Sequence, residues 1–140
     1  MKVVVDTNVI VSGLINGEGL PAQIVNLLLN GRITLLYDSR ILREYVDVLN
    51  RKKFGFRKND IEPILDYIQT EGEYVTAEPT RKKFIDMDDR MFYEVAKTAK
   101  AKCLITGNKS HYPNESFVKN PKDFIEMYLS EHSGGRTETT

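Results

Sequence analysis

Three acidic residues stand at junctions in the sequence pattern. Asp6 closes the apolar run Val3, Val4, Val5, Glu44 lies inside a helical repeat, and Asp89 opens another helix beside Asp88. A carboxylate at the C-terminal end of a parallel strand faces the crevice where open α/β sheets bind their ligands. Carboxylates gathered there repel unless a cation neutralises them or one takes up a proton. An all-oxygen cluster suits Mg²⁺ or Mn²⁺ rather than zinc or copper. Such an ion activates water and neutralises charge building on a phosphate, so phosphodiester hydrolysis is the chemistry within reach. Each acid also has an ordinary role: Asp6 as a strand end, Glu44 as a solvated helix residue, Asp88 or Asp89 as an N-cap.

The elements that must position these acids follow from periodicity. Residues 2 to 5 (Lys, Val, Val, Val) predict a buried parallel strand ending at Asp6. A loop containing Gly13, Gly17 and Gly19 follows, after which Pro21 stands in the first turn of a helix with Ile24, Leu27 and Leu28 on one face, stopped by Asn30 and Gly31. Ile33 to Tyr37 predicts a second strand. Asp38 or Ser39 caps a helix whose stripe is Ile41, Leu42, Tyr45, Val46, Val48 and Leu49. Glu44 falls just outside that stripe, where a carboxylate lines a cleft without entering the core. Asn59 or Asp60 begins the next helix, with Ile61, Ile64, Leu65 and Ile68, and Tyr74 to Thr76 is a short strand. After a loop over 77 to 87, Asp88 or Asp89 starts a helix with Met91, Phe92, Val95, Ala96 and Ala99 on one face. Leu104 to Thr106 and Ser116 to Val118 read as strands, and Pro121 to Leu129 as a last helix. Strands alternating with helices predict a three-layer α/β domain with a central, mainly parallel sheet flanked by helices. A single domain is expected over 1–132, with 133–140, rich in Gly, Ser and Thr, as a disordered tail.

A chain of 140 residues holds one proper core, and 41% hydrophobic with 29% charged residues is ordinary for a globular domain. No apolar run reaches the roughly 20 residues of a membrane span, and the N-terminus lacks a signal-peptide pattern, so a cytoplasmic location is expected. The single cysteine, Cys103, lies in an apolar run and is expected to be buried and inert. Lys plus Arg and Asp plus Glu are both 20, so total charge neither announces nor excludes nucleic acid. Distribution is more informative: between Arg40 and Lys58 basic residues outnumber acidic ones seven to two. Arg51, Lys52, Lys53, Arg57 and Lys58 are candidates for phosphate contact, or else a solvated face.

Four segments carry a resemblance. Val3 to Leu14 (VVVDTNVIVSGL), Ser39 to Leu49 (SRILREYVDVL), Asp86 to Ala96 (DMDDRMFYEVA) and Leu104 to Asn108 (LITGN) together resemble the motifs of the PIN-domain family, in that family's order and spacing. The resemblance implies a central parallel sheet with acids gathered at one end, binding Mg²⁺ or Mn²⁺ and cleaving RNA. It further implies kinship with small PIN proteins that act as the toxin of a toxin-antitoxin pair, with an antitoxin protein as partner and a homodimer as assembly. Carried over by position, the acids are Asp6, Glu44 and Asp89, with Asp86 and Asp88 as neighbours and Thr7 or Asn8 supporting Asp6 through hydrogen bonds. The fourth polar position, an Asp after Thr-Gly in the family pattern, is Asn108 here, and Ser110 stands where a further acid is frequent. Those two neutral residues favour the alternative, a catalytically weak PIN-like module that binds RNA or protein.

Other chemistries fare worse. His111 and His132 belong to no nucleophile constellation and read as surface histidines; an approach to the cleft by His111, in the loop after Asn108, is the disfavoured alternative. One cysteine makes no zinc motif, and no Gly-rich phosphate loop is present. Asp-x-Asp after a first strand marks haloacid-dehalogenase-like phosphatases, but the second position here is Asn8, which removes the general acid.

Overall fold

The computed structural model describes the backbone of residues 1–139 and the side chains of residues 1–132. The expected disordered tail over 133–140 lies outside the residues described in full. Five strands, β1 (Lys2–Val5), β2 (Thr34–Tyr37), β3 (Glu73–Tyr74), β4 (Cys103–Ile105) and β5 (Val118–Lys119), form one sheet in the order β3-β2-β1-β4-β5. Every pairing is parallel. Six helices flank it: α1 (Thr7–Ile15), α2 (Leu20–Leu29), α3 (Ser39–Leu49), α4 (Lys58–Glu71), α5 (Arg90–Ala99) and α6 (Pro121–Thr139). This is the three-layer α/β architecture expected from the alternation of strands and helices.

Strand β1 is central, and Val3, Val4 and Val5 are at most 1% exposed because helices cover both faces of a parallel sheet. The chain winds outward from β1 to β2 and β3, then returns to place β4 on the other side of β1. The reversal falls between β1 and β4, and a crevice opens at the C-terminal ends of strands at such a switch point. Asp6 ends β1 there, and its amide donates to the Ile105 carbonyl of β4 at 2.9 Å.

Residues 7 to 15 are the main departure from expectation: they form α1, not a loop. β-branched Val9, Ile10 and Val11 and the small Gly13 are poor helix formers, so local preference argues against a helix. Tertiary packing decides instead, since Thr7, Val9, Ile10, Val11 and Gly13 are all buried. Gly13 is where α1 meets α2, and a Cβ there would lie 2.7 Å from both the Pro21 carbonyl oxygen and Val25 Cγ2. Helix α3 follows expectation, with Asp38 capping it by accepting from the Ile41 amide at 3.0 Å, a bond worth about 1 kcal/mol. Val46, assigned to its apolar stripe, is 40% exposed, having rotated beyond the face that meets the sheet. Tyr45 on the same helix is wholly buried, and its hydroxyl donates to the Val5 carbonyl. That bond pins α3 across the end of β1 and brings the next residue back, Glu44, beside Asp6. Asp89 holds the N-cap position of α5, which begins at Arg90, but its side chain makes no capping hydrogen bond; Asp86 caps the preceding 3₁₀ turn over Met87–Asp89 by accepting from the Asp88 amide. The other strand and helix ends move by a residue or two from their expected positions, as frayed boundaries do, except that α6 runs on to Thr139 rather than ending at Leu129.

Candidate functional site

A cleft of about 490 Å³ opens at the C-terminal edge of the sheet. Its floor is Asp6, one wall is Thr7, Asn8, Val11, Ser12 and Ile15 of α1, the second is Glu44, Val48, Arg51 and Phe54, and Asp86, Asp88 and Asp89 close it. Five carboxylates therefore face one side-chain cation, Arg51, which is itself held by Asp47 at 3.0 Å.

Asp6 is 5% exposed. Its Oδ2 accepts from Thr106 Oγ1 and from the Tyr112 hydroxyl, each at 2.9 Å. Burial pushes its carboxyl above the ordinary range, partly offset by those two donors and by the amides of Asn8 and Thr7. The side chains of Thr7 and Asn8 serve other partners. The Thr7 hydroxyl donates to Glu44 Oε2, and Asn8 Oδ1 accepts from the Gly107 amide at 3.1 Å, tying α1 to the loop after β4. Glu44 is half-buried, and that burial raises its carboxyl; the Thr7 bond pulls the other way, and Asp6 and Asp88 reinforce the rise. Asp89 is raised to about 6, first by burial, then by Asp6 and Asp86, against the pull of His111. His111, expected at the surface, is partly exposed, yet its Nδ1 lies 3.5 Å from Asp89 Oδ2. All three positions named first in the sequence thus show one pattern, a carboxylate that its surroundings disfavour as an anion.

The donor set is entirely oxygen, which fits a hard divalent ion such as Mg²⁺ or Mn²⁺. Among the described residues, however, no group of three or more His, Cys, Asp or Glu side chains is drawn together closely enough to hold one. The reason is visible in the hydrogen bonds. Each acid leans on its own donor, Asp6 on Thr106 and Tyr112, Glu44 on Thr7, and Asp89 toward His111. Like charges separate when neutral partners are available. Asp86 and Asp88 line the cleft, whereas Asn108 is exposed and outside its lining, joined to the site only through its amide, which donates to Thr106 Oγ1 at 3.0 Å.

Of the basic candidates, Arg51 reaches the cleft. Lys52, Lys53, Arg57 and Lys58 are exposed around the 3₁₀ turn Lys52–Phe54 just beyond it. Phe54 stacks on Phe56 with centroids 5.8 Å apart, and Lys53 Nζ lies 5.0 Å from the Phe54 centroid, so an aromatic pair anchors the basic turn at the mouth.

Sequence reasoning missed two features. Thr106 lies in the Leu104–Asn108 motif with nothing local to mark its role, and Tyr112 carries no signal, because a tyrosine 106 positions from its acceptor looks like any core aromatic. The second is a brace beside the cleft: buried Glu94 accepts from Arg40 at 2.8 Å, from Arg90 at 3.0 Å and from the Thr80 amide at 2.7 Å, while Arg40 also grips Asp38 at 2.7 Å. The i,i+4 spacing of Arg90 and Glu94 was the available clue. Cys103, as expected, is buried, and burial pushes its thiol up to about 11. Among the described residues no helix is long and apolar enough to cross a membrane.

Comparison with known proteins accords with this geometry. The chain is 31% identical over 144 residues to the uncharacterized protein MJ1680 of Methanocaldococcus jannaschii, covering 91% of this chain and 92% of that one. Residues 2–110 match the family model described as PIN domain, and PIN domains are generally nucleases that act on RNA or other nucleic acids. That span takes in Asp6, Glu44, the acids of the 3₁₀ turn and the Thr106 that holds Asp6, and the chain belongs to the PIN-domain family.

Proposed function

We propose that this protein is a Mg²⁺- or Mn²⁺-dependent endoribonuclease that hydrolyses RNA phosphodiester bonds and serves as the toxin of a toxin-antitoxin pair. The observation that carries the reading is the convergence of Asp6, Glu44 and Asp89, all raised in pKa, on one cleft with a single basic side chain in its lining. Those three carboxylates would hold the ion, with Asp86 and Asp88 beside them. When bound, the ion supplies an activated water and neutralises charge on the reacting phosphate. The chain's own residues do the rest. Thr7 orients Glu44, Thr106 and Tyr112 fix Asp6, and Arg51 stands at the mouth to meet a phosphate. Lys52, Lys53, Arg57 and Lys58 extend that cationic approach, and such contacts add affinity independent of sequence.

The test is Mn²⁺-dependent cleavage of RNA by the purified chain. Asp6→Asn, Glu44→Gln and Asp89→Asn should each reduce the rate at least roughly a hundredfold, beyond the range typical of losing a residue that merely orients a ligand. EDTA should do the same. Cleavage indifferent to EDTA and to all three changes refutes the mechanism. The toxin role rests on the resemblance to small PIN proteins; co-expression with the product of the adjacent reading frame should give a stable complex without nuclease activity.

Two observations favour a second reading, a catalytically weak module that binds RNA or a protein. The acids are not drawn to ion-holding spacing among the described residues, and Asn108 brings no charge to the site. RNA binding without turnover at saturating Mn²⁺ would establish that reading instead.

A further inference from the structure

We infer that Tyr112 is a positioning residue for Asp6, an inference that rests on the metal-dependent reading above: its hydroxyl and that of Thr106 hold Oδ2, so that Asp6 offers Oδ1 alone to an ion in the cleft. Tyr112 is 7% exposed and its hydroxyl lies 2.9 Å from Oδ2. Thr106 Oγ1 is the same distance from that oxygen, at 2.9 Å, and is itself aligned by accepting from the Asn108 amide at 3.0 Å. Two donors on one carboxylate oxygen occupy both its lone-pair directions. Among the described residues no side chain donates to Oδ1, and Asp6 lines the cleft.

The placement of Tyr112 is specific to the acids. Its amide donates to the Lys109 carbonyl at 3.1 Å, closing the 3₁₀ turn Lys109–His111, and that turn sends consecutive side chains to two carboxylates. His111 reaches Asp89 and Tyr112 reaches Asp6. A buried tyrosine with a purely architectural role can satisfy its hydroxyl on a backbone carbonyl, as Tyr45 does on Val5. Tyr112 instead directs its hydroxyl to a desolvated anion of the site. Both residues lie just past the segment matched by the family model, which ends at residue 110. A carboxylate fixed through one oxygen binds through the other in a single geometry, and groups that orient a ligand in this way typically govern metal affinity by 10–100-fold.

The experiment compares the full-length parent with Tyr112→Phe, which keeps the ring and its edge-on contact with Phe84 at 6.1 Å and removes only the hydroxyl. Calorimetric titration with Mn²⁺, without RNA, should show the dissociation constant rising about tenfold. In RNA cleavage the rate should fall at limiting Mn²⁺ and recover at high Mn²⁺, while KM for RNA stays at the parental value. Phe84→Leu serves as the packing control, lowering the melting temperature while leaving Mn²⁺ affinity in place. A parent that binds Mn²⁺ and a Tyr112→Phe variant that binds it equally well overturn the inference alone. Equal losses of affinity in Tyr112→Phe and Phe84→Leu also overturn it, since packing then accounts for the effect. A parent that binds no Mn²⁺ overturns the metal-dependent reading and this inference with it.

Discussion

Asp89→Asn separates acids crowded for function from acids tied down for structure. Burial, with Asp6 and Asp86 nearby, raises the Asp89 carboxyl from 3.8 to about 6. A group whose folded pKa exceeds its unfolded value makes the folded chain bind more protons between the two, so its contribution to stability is greatest at low pH and falls as pH rises through that window. At about 1.36 kcal/mol per pKa unit, ionised Asp89 costs the metal-free fold up to roughly 3 kcal/mol above pH 6. The side chain is only 14% exposed, so solvent screens little of this, although local relaxation trims the figure to about 1–3 kcal/mol. The amide removes the cost. It also leaves His111 without its partner, a part-exposed pair worth at most about 1 kcal/mol where His111 is charged.

Metal-free Asp89→Asn should therefore match the parent near pH 4 and exceed it at pH 7.5, melting roughly 3–10 °C higher for a domain of this size. Urea denaturation in EDTA across pH 4 to 8 reads the difference directly. Mn²⁺ should reverse the order, stabilising the parent by about 2.7 kcal/mol at a hundred times its dissociation constant and the variant far less. A variant less stable than the parent at pH 7.5, together with a parent indifferent to Mn²⁺, would show that Asp89 is a structural hydrogen-bonding residue and that the reasoning is wrong.

The remaining predictions concern substrate and packing. Neutralising Arg51, Lys52, Lys53, Arg57 and Lys58 should weaken RNA binding across sequences and flatten its salt dependence by roughly 0.7 of slope per lost contact to a single strand; an unchanged slope makes the segment a solvated face. Gly13→Ala places a methyl 2.7 Å from the Pro21 carbonyl oxygen and Val25 Cγ2 and should destabilise the domain by about 1–3 kcal/mol, read as a lower urea midpoint. A neutral result there would mean that α1 and α2 slide apart freely.

What the sequence made legible divides along the range of the forces involved. Strand β1 announces itself because three consecutive valines can be wholly buried only in a covered parallel strand. Helix α3 does so through its stripe and its Asp38 cap. Helix α1 did not, since nearly every face is buried and a helix without a polar face has no 3.6-residue contrast to detect; Gly13, Gly17 and Gly19 then pointed to a loop. The acids of the cleft were found from their positions at element ends. Their supports were not, because a hydroxyl that bonds a carboxylate 100 or 106 residues away leaves no local trace. Glu94 is the same case in part: its Arg90 partner is a local i,i+4 neighbour, but its Arg40 partner lies 54 positions back, on a different helix.

These long separations also explain why the site is assembled as it is. Asp6 is fixed by the end of β4 and the turn beyond it, Glu44 by the first residue of α1, and Asp89 faces that same turn after β4. Asp86 accepts from Asp88 within its own turn, but Asp6, Glu44 and Asp89 each have a side-chain partner on another element, so those three depend on the whole sheet having formed. Only a packed domain can hold carboxylates within one cleft against their repulsion, because the neutral donors that restrain them arrive from three different parts of the chain. That arrangement leaves the anions separated and incompletely compensated, which is the condition under which a bound cation contributes most to both stability and chemistry.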